Sequence, residues 1–404
     1  MSYFSRQEMI AGWRQDTLGA ARVLVYGRNW KGTFLVWALG SLGAQDVAWL
    51  GPAVPYTDAF VDFLAIEHAP GLGGAFFCYP FEPQGPAELD WILMEPRLSL
   101  IVAAGGPACP MLSAVAAARG IPFLAISGSV SGTARETDHP IPAMIAAALA
   151  ADEFRQLVNP LPDLVDREFG AASVFSVAPH APGPVVVVGV GGVGVYTAVL
   201  LAACGVTLAL IDGDAVEPAN LNRQGLFTAD DANAGRAKSV AAAERLRRLF
   251  PGVRVSGWRA WVDDGSEALL REVAPSVIVS AVDNGASRLL LSGFGARLGT
   301  PVVQAGTDVF SADCFVQDPG GSSLDQQMRG ALRAAAAAES IRRLGGCAVN
   351  PSYVVPGMLA GAFAAARVLA LLGGGRDLPS LHWRSGVLPR GRREIRDEFA
   401  ITME

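Results

Sequence analysis

Continuous apolar runs, each closed by glycine and followed by a segment of helical period, set the plan of the chain. Residues 21–27 (ARVLVYG) read as a buried strand, followed by a glycine-containing turn, an apolar helix over residues 33–42 and a second strand at residues 46–50. Residues 184–211 repeat that order, with PVVVVGVGGVG, VYTAVLLAACG and VTLALI in place of strand and turn, helix, and strand. Strands apolar on both faces and alternating with helices predict an α/β fold with mainly parallel sheets covered by helices.

The correspondence continues along both halves. LSLIVAAGG, PACPMLSAVAAARG and IPFLAISG in the first match PSVIVSAVDN, GASRLLLSGFGARLG and TPVVQAGTD in the second. Nearly equal offsets point to an internal duplication of a Rossmann-like unit. In the first copy GRNWKG keeps Gly27 and Gly32 but inserts Trp30 and Lys31, so its nucleotide pocket is expected to be degenerate. Proline and glycine in residues 161–183 mark a boundary between the copies. After Gln317, DPGGSSLDQQ reads as a loop and RGALRAAAAAESIRRL as a helix, followed by an irregular stretch over residues 345–356 and a small-residue helix over residues 357–372. The Arg-rich tail reads as an added strand, a partner-binding arm or a disordered end. The expected division is residues 1–178, residues 179–375 with a cysteine-bearing segment at 314–356, and a C-terminal extension over residues 376–404.

A length of 404 residues, 51% of them hydrophobic, excludes a peptide-sized, disulfide-stapled or disordered protein. A formal net charge of -6 lacks the basic footprint of a dedicated nucleic-acid binder. Five cysteines without a CxxC pair supply neither a disulfide framework nor a structural zinc site, and a cytoplasmic location fits best. The N-terminus is polar where a secretory signal needs an apolar stretch. Residues 184–211 are uncharged and long enough to cross a bilayer, but their glycines divide them into strand, turn, helix and strand, so no membrane is expected as a partner.

The candidate chemistry lies in the second copy. Gly189, Gly191, Gly192 and Gly194 follow a strand and open a helix, where backbone N–H groups can approach phosphate. Taken alone, this pattern is shared by dinucleotide sites, mononucleotide sites and simple tight turns. Asp212 ends the next strand, where a carboxylate can accept hydrogen bonds from a ribose. Asn222, Arg223, Gln224, Lys238, Asp283, Asn284 and Arg288 then gather toward the same sheet edge.

In this order the motifs resemble the E1-like activating enzymes, which include the ubiquitin and SUMO activators and the bacterial adenylyltransferases of thiamine and molybdopterin synthesis. The glycine loop, strand-end Asp212, residues 220–224 (NLNRQ), Lys238 and residues 283–288 (DNGASR) follow the family pattern, with Ala219 where a serine is usual. The resemblance is strong over residues 180–372. It extends to the N-terminus, where residues 5–7 (SRQ) look like the motif whose arginine reaches an ATP site. By that resemblance Arg6 is a finger aimed at the second copy's nucleotide, from the same chain or across a homodimer. A degenerate copy followed by an intact one resembles the inactive and active adenylation halves of a compact bacterial ubiquitin-like-protein activator.

The implied reaction is attack by a C-terminal carboxylate on the α-phosphate of ATP. Arg6, Arg223 and Lys238 would offset charge in the transition state, Asp283 would hold Mg²⁺, Asp214 is a second candidate for metal or water contacts, and Asn222 and Gln224 would orient phosphate or main chain. The resemblance further implies capture of the acyl group on a cysteine and transfer to an E2-like conjugating protein. Cys347, in an irregular segment near Arg342 and Arg343, is the preferred nucleophile, with Cys314 the next candidate. Three alternatives stand beside this reading: an adenylyltransferase acting on a sulfur carrier or small peptide without a thioester, a silent scaffold, and an NAD(P) dehydrogenase.

Overall fold

The computed structural model describes residues 3–90, 98–106, 108–126, 139–161, 167–170, 183–327, 330, 333–334, 336–337 and 351–385. Two sheets organise them. The first contains β1 (Arg22–Tyr26), β2 (Asp46–Leu50), β3 (Ala75–Tyr79), β4 (Leu98–Ala103) and β5 (Phe123–Ala125), all parallel, in the order β3-β2-β1-β4-β5. The second contains β6 (Arg167–Gly170), β7 (Val185–Val188), β8 (Leu208–Ile211), β9 (Val255–Trp258), β10 (Val277–Ser280), β11 (Val302–Asp308), β12 (Ser311–Gln317) and β13 (Leu381–Ser385). Its parallel part runs β9-β8-β7-β10-β11, the same third-second-first-fourth-fifth order as the first sheet. Antiparallel β12, β13 and β6 extend it from β11. The segment after residue 375 thus contributes a strand to the second sheet, as does part of the stretch before residue 179.

Each sheet begins with one local device. Gly27 and Gly189 adopt positive φ, +113° and +86°, a region open to glycine at little cost. Five residues on, beside both sheets, comes a glycine with no space for a side chain: a Cβ at Gly32 would strike the Gly27 carbonyl oxygen, and one at Gly194 the Gly189 carbonyl oxygen. This close approach draws α1 (Trp30–Leu42) over the first sheet. α1 starts earlier than the apolar pattern indicates, because Asn29 caps it by accepting from the Gly32 N–H at 3.0 Å.

The core runs through both units. α2 (Pro140–Val158) packs on α1, and α3 (Gly194–Ala203) opens from the glycine turn of the second sheet. α4 (Lys238–Leu249) and α5 (Gly285–Leu298) are further helices of the second unit. α6 (Val354–Leu372) lies against α2, α3, β11 and β12. By length and hydropathy α6 is able to cross a membrane, yet 94% of its most apolar window is buried inside the fold, where it acts as the central core helix. Gly361 permits close contact with α3: a Cβ there would meet the Tyr196 Cβ at 2.6 Å and the Val193 carbonyl oxygen at 3.0 Å. Each fully buried Leu, Val or Phe of such a helix contributes about 1.5–3 kcal/mol relative to exposure. Polar contacts also join the units. Arg245 pairs with Glu67 at 2.9 Å and Asp231 at 3.0 Å while its guanidinium covers the Phe63 ring, and Trp37 meets Tyr196 at 4.9 Å between centroids.

Gly32→Ala presses a methyl group against the Gly27 carbonyl and is expected to lower stability by about 1–3 kcal/mol. Urea denaturation should show a lower midpoint at unchanged slope; an unshifted midpoint would mean that the turn relaxes freely.

Candidate functional site

The site forms at the carboxyl ends of β7, β8 and β10. Gly189 passes so near the end of β10 that a Cβ would lie 2.6 Å from the Ala281 carbonyl oxygen. Gly191 and Gly192 face more space, the nearest atoms to their hypothetical Cβ positions being 3.8 Å and 3.6 Å away. The loop therefore leaves its backbone approachable just before the N-terminus of α3, where the first N–H groups of a helix have no intrahelical acceptor.

Asp212 ties this loop to β8. Its Oδ2 accepts from the Val190 N–H at 2.6 Å and its Oδ1 from the Asp214 N–H at 2.8 Å. A carboxylate oxygen has a further lone pair, so both remain able to accept from a ribose. Burial raises the Asp212 pKa above the ordinary carboxylate value, against the opposing pull of Lys238 and the two N–H donors. Lys238 Nζ reaches Asp214 Oδ2 at 2.9 Å, its own side chain buried and that of Asp214 half exposed. A lysine in the first turn of α4 opposes the helix dipole, and that placement needs a local anion.

Arg223 and Arg6 make a sharper electrostatic demand. Arg223 donates to the Ala219 carbonyl and to Asn222 Oδ1, the latter at 3.1 Å. Burial, and after it the positive charge of Arg6, depress its pKa to about 10. Arg6 reaches this position within the same chain. Its carbonyl accepts from the Ser352 N–H at 3.2 Å, and adjacent Gln7 accepts through Oε1 from Asn222 Nδ2 at 3.1 Å. Gln7 is fully buried and also donates to the Leu42 carbonyl at 2.9 Å, so the arm is anchored on both units. Gln224 is buried beside Gly191, with its Oε1 lacking a hydrogen-bond partner.

Asp283 is exposed between β10 and α5. Asn284 caps α5 by accepting from the Ser287 N–H at 2.8 Å, and Arg288 donates to the Val282 carbonyl at 2.9 Å and the Ala305 carbonyl at 3.4 Å. These two residues hold the main chain that presents Asp283. Among the described residues no group of three His, Cys, Asp or Glu side chains forms a metal cage. A lone carboxylate suits a cation that keeps its waters and takes other oxygens from phosphate.

Cys347, Arg342 and Arg343 lie outside the described residues. Cys314 is fully buried in β12, and burial pushes its thiol up to about 12. Cys204 is likewise raised to about 12, and Cys78 is raised, by burial in both cases. Sequence reasoning did not identify Gln7 as an anchor, although it adjoins Arg6. The corresponding turn of the first unit is closed by its own side chains: Gly51 follows β2 where Asp212 follows β8, Trp49 Nε1 donates to the Gly27 carbonyl at 2.8 Å, and Arg28 pairs with Asp58 at 3.1 Å.

A glycine turn, a strand-end carboxylate and converging cations on a parallel sheet define a nucleotide-binding unit of the E1-like adenylating class. Residues 183–381 match the model of the ThiF family. It is 40% identical over 128 residues to the adenylyltransferase and sulfurtransferase uba4 of Aspergillus niger, covering 30% of this chain and 25% of that one. It is 35% identical over 137 residues to the sulfur carrier protein ThiS adenylyltransferase of Escherichia coli, covering 33% of this chain and 53% of that one. The chain thus spans between a quarter and about half the length of these relatives. A solved structure of E. coli MccB with ATP is 22% identical, with a TM-score of 0.41 over 52% of this chain and 65% of that one.

Asp212→Asn should separate stability from binding. The raised pKa means that the folded state holds the proton more tightly than the unfolded state, so ionisation of Asp212 destabilises the fold as pH rises through its titration. The asparagine variant removes that ionisation but sets an amide donor against one of the two N–H groups, so its melting temperature is expected to vary less than the parent's as pH rises from the ordinary carboxylate pKa of about 3.9. It should also bind ATP at least about tenfold more weakly. Melting curves from pH 3 to 8 and calorimetric titration check both halves.

Proposed function

We propose that the chain is an ATP-dependent adenylyltransferase that activates the C-terminal carboxylate of a ubiquitin-like or sulfur-carrier protein, or of a peptide. The observation that supports it most is the arm that brings Arg6, through the Gln7–Asn222 hydrogen bond, toward the half-buried Arg223 next to the glycine turn. Positive charge gathered beside a glycine turn and a helix N-terminus suits a triphosphate. The relatives' activities support the same reading, with ThiS among their substrates.

The donors present fit ATP. The glycine turn and the α3 N-terminus face phosphate, Asp212 retains free lone pairs for ribose hydroxyls, and the unpaired Gln224 Oε1 is a buried acceptor beside the loop. The substrate carboxylate attacks the α-phosphorus; the bond from that phosphorus to its bridging oxygen breaks, and pyrophosphate leaves with the electron pair. Arg6, Arg223 and Lys238 offset the charge of the two approaching anions. Asp283 would hold Mg²⁺, which would supply neutralisation of phosphate charge. The first unit serves as a degenerate copy that carries the Arg6 arm in cis, so a second protomer is not required for the finger.

Adenylation without a covalent thioester is the form we favour, since the matched relative is an adenylyltransferase of a sulfur carrier and Cys314 is fully buried in β12. Acyl capture on Cys347 and transfer to an E2-like protein is the longer version. Intact-mass analysis with Mg-ATP and a candidate carrier, before and after reduction, separates the two by a thiol-sensitive adduct.

Arg6→Ala, Lys238→Ala and Asp283→Ala should each slow carrier-dependent ATP–pyrophosphate exchange, by about 10²- to 10³-fold for the two cations, while retaining the parent's circular dichroism. Mixing the Arg6 and Lys238 variants should restore nothing, because the finger acts within its own chain. Recovery on mixing would place the finger across a dimer, and full exchange activity in all three variants would remove these residues from the reaction.

A further inference from the structure

One large exposed aromatic side chain stands at the nucleotide site. Trp261 is 68% exposed and lies just beyond the end of β9. Its indole covers Gly213, where an added Cβ would run into ring atoms Cγ, Cδ2 and Cε2. Gly213 sits between the two carboxylates already described: Asp212, which holds the glycine turn, and Asp214, which holds Lys238. The backbone around the ring is pinned from both sides. Ser266 Oγ donates to the Trp261 carbonyl at 3.2 Å and accepts from the Asp263 N–H at 3.0 Å, while Arg259 Nε donates to the Gly213 carbonyl at 3.3 Å. An anchored indole that still shows most of its surface to water is an unspent binding surface.

The sheet indicates what that surface meets. β7, β8 and β9 are neighbours in that order, and adjacent strands lie about 4.8 Å apart. Phosphate belongs at the turn after β7 and ribose at the acid after β8. Continuing in the same direction along the sheet edge, the base falls at the end of β9, where Trp261 stands. We propose that Trp261 is the platform on which the nucleotide base stacks, a role that rests on the adenylation reading and deepens it. Aromatic stacking tolerates every base, so Trp261 contributes affinity for a nucleoside more than choice among bases. Because the base is remote from the reacting phosphorus, the contact acts equally on ground and transition states and lowers KM for ATP with little effect on kcat.

The test uses the full chain. Dissociation constants for ATP and for inorganic tripolyphosphate are measured by calorimetry on the parent, Trp261→Ala and Trp261→Phe, with ATP–pyrophosphate exchange alongside. Trp261→Ala should weaken ATP binding about 5- to 150-fold, leave tripolyphosphate affinity unchanged and raise KM for ATP at nearly constant kcat, and Trp261→Phe should recover most of the loss. Unchanged ATP affinity in Trp261→Ala, an equal loss for ATP and tripolyphosphate, or a rise only in the KM of the carrier protein would overturn the assignment while leaving adenylation standing. A parent chain that binds tripolyphosphate but not ATP, or neither, would overturn the adenylation reading itself.

Discussion

Two carbonyl oxygens govern the geometry of this molecule. Those of Gly27 and Gly189 lie so close beneath the first turns of α1 and α3 that no side chain fits at Gly32 or Gly194. That contact presses each helix onto its sheet and points its N-terminus at the strand end. The backbone device is the same in both units, and their difference lies in the side chains around it. In the second unit Gly191 and Gly192 are left open and Asp212 tethers the loop from the side. In the first, Trp49 binds the turn carbonyl and Arg28 is engaged with Asp58, so that turn is occupied by the protein itself.

The open turn is surrounded by charged groups that the fold holds at some cost. A half-buried carboxylate with a raised pKa, a half-buried guanidinium depressed to about 10, and a lysine at a helix N-terminus that Asp214 neutralises each carry a cost. Such groups persist only when the surroundings hold them, and here the holding elements are visible. Gln7 bonds to Asn222 and to the end of α1, the Arg6 carbonyl accepts from Ser352, and Tyr353 just beyond packs against Trp13 with 5.5 Å between ring centroids. The long apolar helix α6 supplies the burial that offsets these strains, and its Gly357 and Gly361 bring it against the glycine turn and α3. The first sheet and its helices are thereby part of the site's support.

Much of this was legible beforehand. Val185–Val188, Leu208–Ile211 and Val277–Ser280 are unbroken apolar runs, which a sheet covered on both faces requires and few other structures tolerate. Arg223, Lys238 and Asp283 were recognisable from their order along the chain. Less legible were the roles of Asn284 and Arg288. Both fall in the motif, yet one caps α5 and the other bridges the carbonyls of Val282 and Ala305, contacts set by how neighbouring strands end. Trp261 carried no signal at all, because an exposed tryptophan in a loop has no periodicity, and its meaning depends on lying over Gly213.

The sequence by itself determined the α/β class, the repeated strand–turn–helix plan and the ThiF-type motif, because periodicity and glycine placement are local properties of consecutive residues. Only the tertiary structure decided that the Arg6 arm meets Arg223 of its own chain and that a membrane-length apolar helix is a core element. It also decided that Cys314 is sealed inside a sheet. Each of these depends on residues far apart in the chain meeting in space, and the energy that brings them together, apolar burial, is nearly blind to which partners it joins.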